Sequence, residues 1–244
     1  MEKQRLMNVY VNNLTMMESV NRIHDMIREK QTSYVVEVNV DVVMKMEKDP
    51  YLKKISDEAD LTLVDGQPLV WISKMKGNTP IREKISGSDL VPELLDELSR
   101  ENRSVFILGG LGDTAKKAAK NVKKHYPGMS IAGTYAPPLG FEKDAKEIEK
   151  INHLVAKTHP DLLLACFGCP KQEKWIYENI EKYDAKVSIC AGATVDFLAG
   201  NVKRAPKWMS DHGLEWFYRF LQEPKRMFKR YFVDDVKILK LIKR

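Results

Sequence analysis

The sequence predicts an α/β protein: a Rossmann-like, mostly parallel sheet with helices on both faces, followed by a basic, aromatic and helical C-terminal appendage. Three observations point there. Short apolar runs that suit buried strands alternate with helix-length amphipathic segments, as they do when crossover helices join parallel strands. Several of those runs stop at a glycine or an acid just before the next helix begins, where an open α/β sheet keeps its ligands. The third observation is charge. Of 244 residues, 40 are Lys or Arg and 34 are Asp or Glu, but positions 203–244 hold twelve of the cations and five of the acids. That is a net of +7 for the last stretch, and −1 for the first 202 residues. The chain divides accordingly into a Rossmann-like domain at 1–202 and the appendage at 203–244.

The elements follow in order. Asn8–Val11 is a short strand. Thr15 and Glu18 fit a capping box that opens an amphipathic helix to about Lys30. Ser33–Asn39 is a strand, Val40–Lys48 and Pro50–Ala59 are helices, and Leu61–Val64 is a buried strand. A helix from Pro68 to about Met75, a loop over 77–86 and a helix over Asp89–Arg100 come next. Ser104–Leu108 is a buried strand, and Asp113 caps a helix reaching about Tyr126. Ser130–Gly133 is a short strand. The prolines of Tyr135–Phe141 make it a loop. Glu142–Lys157 is a helix, Asp161–Phe167 a buried strand, Lys171 to about Glu181 a helix, and Lys186–Ala191 the last buried strand.

Composition narrows the function classes. No apolar run reaches the ~18 residues of a membrane span. The first residues lead into no apolar segment of the secretory type, so a cytoplasmic protein is expected. Cys166, Cys169 and Cys190 make no even disulfide framework. The CxxC spacing of the first two is read as small core residues in a reducing compartment.

Four stretches could carry chemistry. In Leu61-Thr62-Leu63-Val64-Asp65-Gly66-Gln67-Pro68 a buried strand runs into an acid, a glycine and a proline suited to a first helical turn. Asp65 there is either a helix cap or a general base facing a cleft. Gly109-Gly110-Leu111-Gly112 follows a strand and precedes a helix. It is neither GxGxxG nor a Walker loop, and both a tight turn and a nucleotide contact remain open. Phe167-Gly168-Cys169-Pro170-Lys171-Gln172-Glu173 opens a helix with an amide at Gln172, while Glu173 suits the helix dipole. Asn39, ending its own strand, is a second amide at the same edge. The appendage interleaves Trp208, Trp216, Phe217, Tyr218, Phe220 and Phe228 with Arg204, Arg219, Arg226 and Arg230. Such a mixture suits an anionic membrane interface better than a solvated helical pair.

These segments together resemble the WecB/TagA/CpsF family of bacterial glycosyltransferases, glycosyltransferase family 26, from about Ser33 to Tyr231. The marks are Asn39-Val40-Asp41, Val64-Asp65-Gly66, Gly87-Ser88-Asp89-Leu90, Gly109-Gly110, Pro170-Lys171-Gln172-Glu173, Arg204-Ala205-Pro206 and Glu215-Trp216 with Arg219, Arg226 and Arg230. The resemblance implies an inverting enzyme with no obligatory metal and no cofactor. It implies transfer of N-acetylmannosamine or a related hexose or uronic acid from a UDP-sugar to a polyprenyl-diphosphate-linked saccharide at the inner membrane face. The product pathway would be teichoic acid, capsule or exopolysaccharide synthesis.

Asp65 would be the base. Asn39 and Gln172 would hold hydroxyls, and Lys84, Arg219, Arg226 and Arg230 would stabilise the leaving diphosphate. Glu37, Gly109, Gly110 and Asp196 complete the substrate-binding set. Glu37 stands where teichoic-acid members carry threonine, Lys84 stands where arginine is usual, and Tyr135–Phe141 looks like the exopolysaccharide branch. The expected partners are the UDP-sugar, the lipid-linked acceptor and an anionic membrane surface, with no nucleic acid; a homo-oligomer is left open. A nucleic-acid protein using the basic tail and a nucleotide-dependent oxidoreductase are the alternatives. The missing DNA-reading motif and the missing GxGxxG count against them.

Overall fold

A computed structural model of the chain describes residues 2–29, 32–75, 79–206, 208–209 and 214–222, with Pro224, Phe228, Asp235 and Ile238. A small antiparallel hairpin, β1 (Gln4–Leu6) and β2 (Val9–Val11), comes first, followed by α1 (Met16–Arg28). Thr15 and Glu18 form the expected capping box at the start of α1. The main body then alternates: β3 (Ser33–Val38), α2 (Val40–Met46), α3 (Pro50–Glu58), β4 (Leu61–Val64), α4 (Gln67–Met75), α5 (Gly87–Arg100), β5 (Ser104–Gly109) and α6 (Thr114–His125). It continues with β6 (Ser130–Tyr135), α7 (Ala145–Ala156), β7 (Leu162–Cys166), α8 (Lys171–Asn179), β8 (Val187–Cys190), α9 (Thr194–Ala199) and α10 (Glu215–Gln222).

Strands β3 to β8 form one six-stranded parallel sheet in the order β4-β3-β8-β7-β5-β6. Every residue of β3, β4, β7 and β8 is buried. That explains their unbroken apolar runs: alternate side chains feed two different cores. Val36, Val38, Val64, Leu108, Leu163 and Ala165 meet α2, α3, α4, α7 and α8 on one face. Val35, Leu61, Leu63, Ile107, Leu164 and Ile189 meet α1, α5, α6 and α9 on the other. Helix α2 leaves β3 towards the first face, and α9 leaves the adjacent β8 towards the second. The chain paths diverge there, at the carboxyl rim of the sheet, the place where an open α/β sheet forms its ligand crevice.

Several boundaries differ from expectation. The N-terminal strand has a partner, β1, that its short polar sequence did not announce. Helix α5 begins at Gly87, two residues early, because the chain is already turning at Ser86. Strand β6 keeps its pairing with β5 through Tyr135, so that residue lies in the sheet and not in the proline loop. A single 3-10 turn (Phe141–Lys143) precedes α7, whose cap is Asp144. Asp113 sits at the start of α6, but its carboxylate pairs with Lys117 at 3.1 Å instead of capping. Helix α9 was not anticipated at all. Within the appendage, the described residues include a helical turn pattern at α10, and Met209 and Ile238 are buried.

Candidate active site at the carboxyl rim

The carboxyl ends of β3 and β4 bring Glu37, Asn39 and Asp65 together. Glu37 is opposite Leu63 in the register, and the backbone N–H of Asp65 donates to the Val38 carbonyl at 2.8 Å, extending the pairing one step past β4. Asn39 has two jobs. Its Oδ1 accepts from the Val42 N–H at 3.2 Å and caps α2, and its Nδ2 donates to Asp65 Oδ2 at 3.3 Å. A primary amide is the residue type that can do both, since it carries an acceptor and a donor on one rigid group. Gly66 follows at φ +132°, a conformation that releases the chain into α4 and disfavours any side chain. Helix α4 begins two residues after Asp65, whose carboxylate is engaged by Asn39.

Segment 84–86 closes the outer side. The Ile85 N–H donates to the Val64 carbonyl at 2.8 Å, which sets Lys84 beside the end of β4. Lys84 Nζ lies 2.6 Å from Glu215 Oε2 and 3.5 Å from Asp89 Oδ2. Burial alone would lower its pKa, but Glu215, Asp89 and Asp65 outweigh it and hold the ammonium above the ordinary lysine range. Asp89 also accepts from Ser86 Oγ at 2.5 Å and pairs with Arg204 at 3.1 Å. Asp89 and Glu215 thus organise the site's cations, and Gly87 its floor, although none of the three was singled out as a site residue. All three lie in stretches that mark the family resemblance, but only the tertiary contacts show what they touch.

Glu37 is 8% exposed, and its Oε1 is buried without a hydrogen-bond partner among the described residues. Burial first, and the neighbouring Asp65 carboxylate second, push its carboxyl well above the usual range, against the pull of the Gly87 N–H. A Cβ built on Gly87 would lie 2.5 and 2.7 Å from the two Glu37 oxygens, so the Glu37 carboxyl occupies the place of a side chain at 87.

The other expected residues are placed differently. Gln172 is buried, and both ends of its amide are engaged within the protein. Oε1 accepts from the Gly168 and Gly192 N–H groups, each at 3.1 Å, and Nε2 donates to Glu173 Oε1 at 3.0 Å. It braces the loops after β7 and β8 instead of presenting an amide over the rim. Glu173 is not a solvated dipole partner: it is 0% exposed, and burial raises its carboxyl above the ordinary range despite the amide of Gln172 and the nearby Lys45. Gly109 and Gly110 have packing reasons of their own. A Cβ on Gly109 would lie 2.4 Å from the Cys166 carbonyl oxygen, and one on Gly110 would lie 2.8 Å from Thr114 Cβ. They also stand three strands from β3, about 14 Å across the sheet. Asp196 is half-buried on α9, near Cys166. The side chain of Arg219, and Arg226 and Arg230 entirely, lie outside the described residues. Cys166 and Cys190 are buried free thiols, and burial pushes Cys166 up to about 12. Among the described residues no group of three His, Cys, Asp or Glu side chains is gathered for a metal.

Fold and site together define an open parallel α/β protein whose polar groups gather at the carboxyl rim, around one hydrogen-bonded aspartate and one paired lysine. A family model described as the glycosyl transferase WecG/TagA/CpsF family matches residues 4–244, and the chain belongs to that family. It is 31% identical over 198 residues to the N-acetylglucosaminyldiphosphoundecaprenol N-acetyl-beta-D-mannosaminyltransferase of Bacillus spizizenii, covering 81% of this chain and 74% of that one. The enzyme of the same name from Bacillus subtilis is 31% identical over 228 residues, covering 93% and 86%. That from Staphylococcus aureus is 27% identical, covering 92% and 87%. The class of activity is therefore glycosyl transfer and not hydride transfer.

Proposed function

We propose that the chain transfers a hexosyl group, N-acetylmannosamine or a close relative of it, from a UDP-sugar to a lipid-diphosphate-linked N-acetylglucosaminyl acceptor, with inversion at the anomeric carbon. The relatives' names supply the sugar and the acceptor. The observation that carries the mechanism is Asp65 held by Asn39 at the mouth of the crevice.

Asp65 accepts the proton of the acceptor hydroxyl as that oxygen attacks the anomeric carbon, and the bond from that carbon to the UDP oxygen breaks. UDP leaves with the bonding pair, and its added charge needs cations placed in advance. Lys84 is one such cation in reach of the rim; Arg219, Arg226 and Arg230 of the appendage are proposed as others. Asn39 orients Asp65, and Gln172 fixes the loops that frame the crevice. Glu37 and Asp196 are proposed to bear on the choice of sugar, with Gly109 and Gly110 reserved for the distal end of the donor. Residues 1–202 form the catalytic domain and 203–244 the membrane-contacting appendage, so the enzyme works at the inner face of the membrane. No helix among the described residues is long and apolar enough to cross a membrane.

The test is direct: a panel of UDP-sugars offered with a soluble lipid-diphosphate-N-acetylglucosamine analogue. UDP release coupled to formation of a disaccharide is expected, persisting in excess EDTA. A donor panel with no turnover would sink the reading.

A further inference from the structure

The first 202 residues are near neutral as a whole, but one of their helices is not. Helix α6 carries Lys116, Lys117, Lys120, Lys123 and Lys124 with no acid between Thr114 and His125, and all five lysines are exposed. Its inner face is small and apolar: Ala115, Ala118, Ala119 and Val122 are buried, so the helix lies close against the sheet and α9.

Two of the lysines are engaged. Lys117 pairs with Asp113 at 3.1 Å, and Lys123 turns its ammonium onto the carbonyls of Pro127 and Met129, at 3.0 Å each. The ammonium groups of Lys116, Lys120 and Lys124 make no hydrogen bond or ion pair among the described residues. They are four residues apart, so the helical period sets them in one stripe ~12 Å long. Like charges at that spacing repel and weaken a helix slightly. Several other helices pair cations with acids: Lys45 with Asp41, Lys54 with Glu58, Arg100 with Asp96 and Glu97, Lys150 with Glu147, Lys174 with Asp49. At the head of α6, Leu111 is 65% exposed. Leu139, in the loop leaving the neighbouring β6 at the same rim of the sheet, is 83% exposed.

We propose that the outer face of α6, with Leu111 at its head, is a docking surface for an anionic membrane, carried by the Rossmann-like domain and distinct from the appendage. An uncompensated cationic stripe matches anionic headgroups, and exposed leucines at the rim match the acyl boundary beneath them. Docking this face holds the carboxyl rim close to the leaflet. That benefit rests on the lipid-linked acceptor of the proposed function; the surface itself does not.

The experiment uses the full chain and its Lys116→Gln/Lys120→Gln/Lys124→Gln variant, sedimented with phosphatidylglycerol vesicles and with phosphatidylcholine vesicles. Glutamine keeps helix propensity, so an unchanged melting temperature verifies the fold. The triple variant is expected to bind phosphatidylglycerol vesicles about 100-fold more weakly, the effect of three interfacial cations. A Lys54→Gln/Lys150→Gln/Lys174→Gln control, which removes three ion-paired lysines, is expected to bind like the parent. Equal vesicle binding by the triple variant and the parent overturns the proposal. So does a parent that prefers single-stranded oligonucleotide to vesicles and loses that preference in the triple variant, which would make the face a nucleic-acid surface. Sugar transfer to a water-soluble acceptor is measured alongside and is expected to be equal in both. Its absence from the parent would count against the transferase reading and leave the vesicle result standing.

Discussion

Asp65, Glu37 and Asp89 are three carboxyls within one small region, and what each touches separates their roles. Asp89 is held between Lys84, Ser86 and Arg204 and is occupied by them. Asp65 accepts from the neutral amide of Asn39, which orients it, and it lies within electrostatic reach of the Lys84 ammonium. Asp65→Asn preserves shape while removing the proton acceptor, so a loss in kcat of ~10²-fold or more is expected, with UDP binding and melting temperature retained. Near-parental turnover in the folded variant would return Asp65 to a structural role. Glu37 gives a pH signature instead. Burial raises its folded carboxyl well above the ordinary carboxylate range, so the folded state holds a proton that the unfolded chain releases. Stability from Glu37 is then full below the ordinary carboxylate range and declines as pH rises towards the raised value. Glu37→Gln cannot titrate. Its melting temperature relative to the parent is expected to rise as pH increases above the ordinary carboxylate range, and a constant difference would mean that Glu37 is ionised in the fold.

At the level of elements, Gly87 shows where the reach of sequence reasoning ends. The strands and their order of occurrence were readable because burial on both faces leaves unbroken apolar runs such as Leu162–Cys166. The place of Asp65 at the carboxyl rim was readable because an acid and a glycine end a buried strand just before a helix; its role, cap or base, was not. Asn39 was readable for a similar reason, although its bond to Asp65 was not. What stayed hidden depends on neighbours distant in sequence: the commitment of Gln172 to Gly168 and Gly192, the pairing of Lys84 with Glu215, and the fit of Glu37 over Gly87. That fit makes a sharp test. In Gly87→Ala the new methyl overlaps the Glu37 carboxyl at the first turn of α5, and overpacking of this kind costs about 1–3 kcal/mol. The cost should largely vanish in a Glu37→Ala background, and a double-mutant cycle by denaturant unfolding measures the coupling. Additive losses would show that α5 shifts to relieve the overlap and that the two residues are independent.

For the molecule as a whole, the question is what the appendage adds to a domain that already holds the base. The two cores are built almost wholly from residues 1–202, with Met209 and Ile238 the buried apolar residues beyond them among those described. Truncation before Lys203 is therefore expected to leave a domain that melts cooperatively, at a somewhat lower temperature. The appendage nevertheless reaches the site. Arg204 pairs with Asp89, and Glu215 at the start of α10 pairs with Lys84, while Trp216, Phe217 and Leu221 of that helix are exposed. One end of the appendage thus touches Lys84 and Asp89, and the rest offers aromatic and basic groups suited to an interface. An appendage that only anchored the enzyme would matter for vesicle-borne acceptor and not for soluble acceptor. One that also completes the diphosphate site and excludes water would matter for both. The second outcome is expected: the truncated domain binds phosphatidylglycerol vesicles far more weakly and barely turns over even a water-soluble acceptor, while full-length Asp65→Asn binds vesicles like the parent. Parental turnover of soluble acceptor by the truncated domain would reduce the appendage to an anchor. Undiminished vesicle binding would remove it from the membrane altogether.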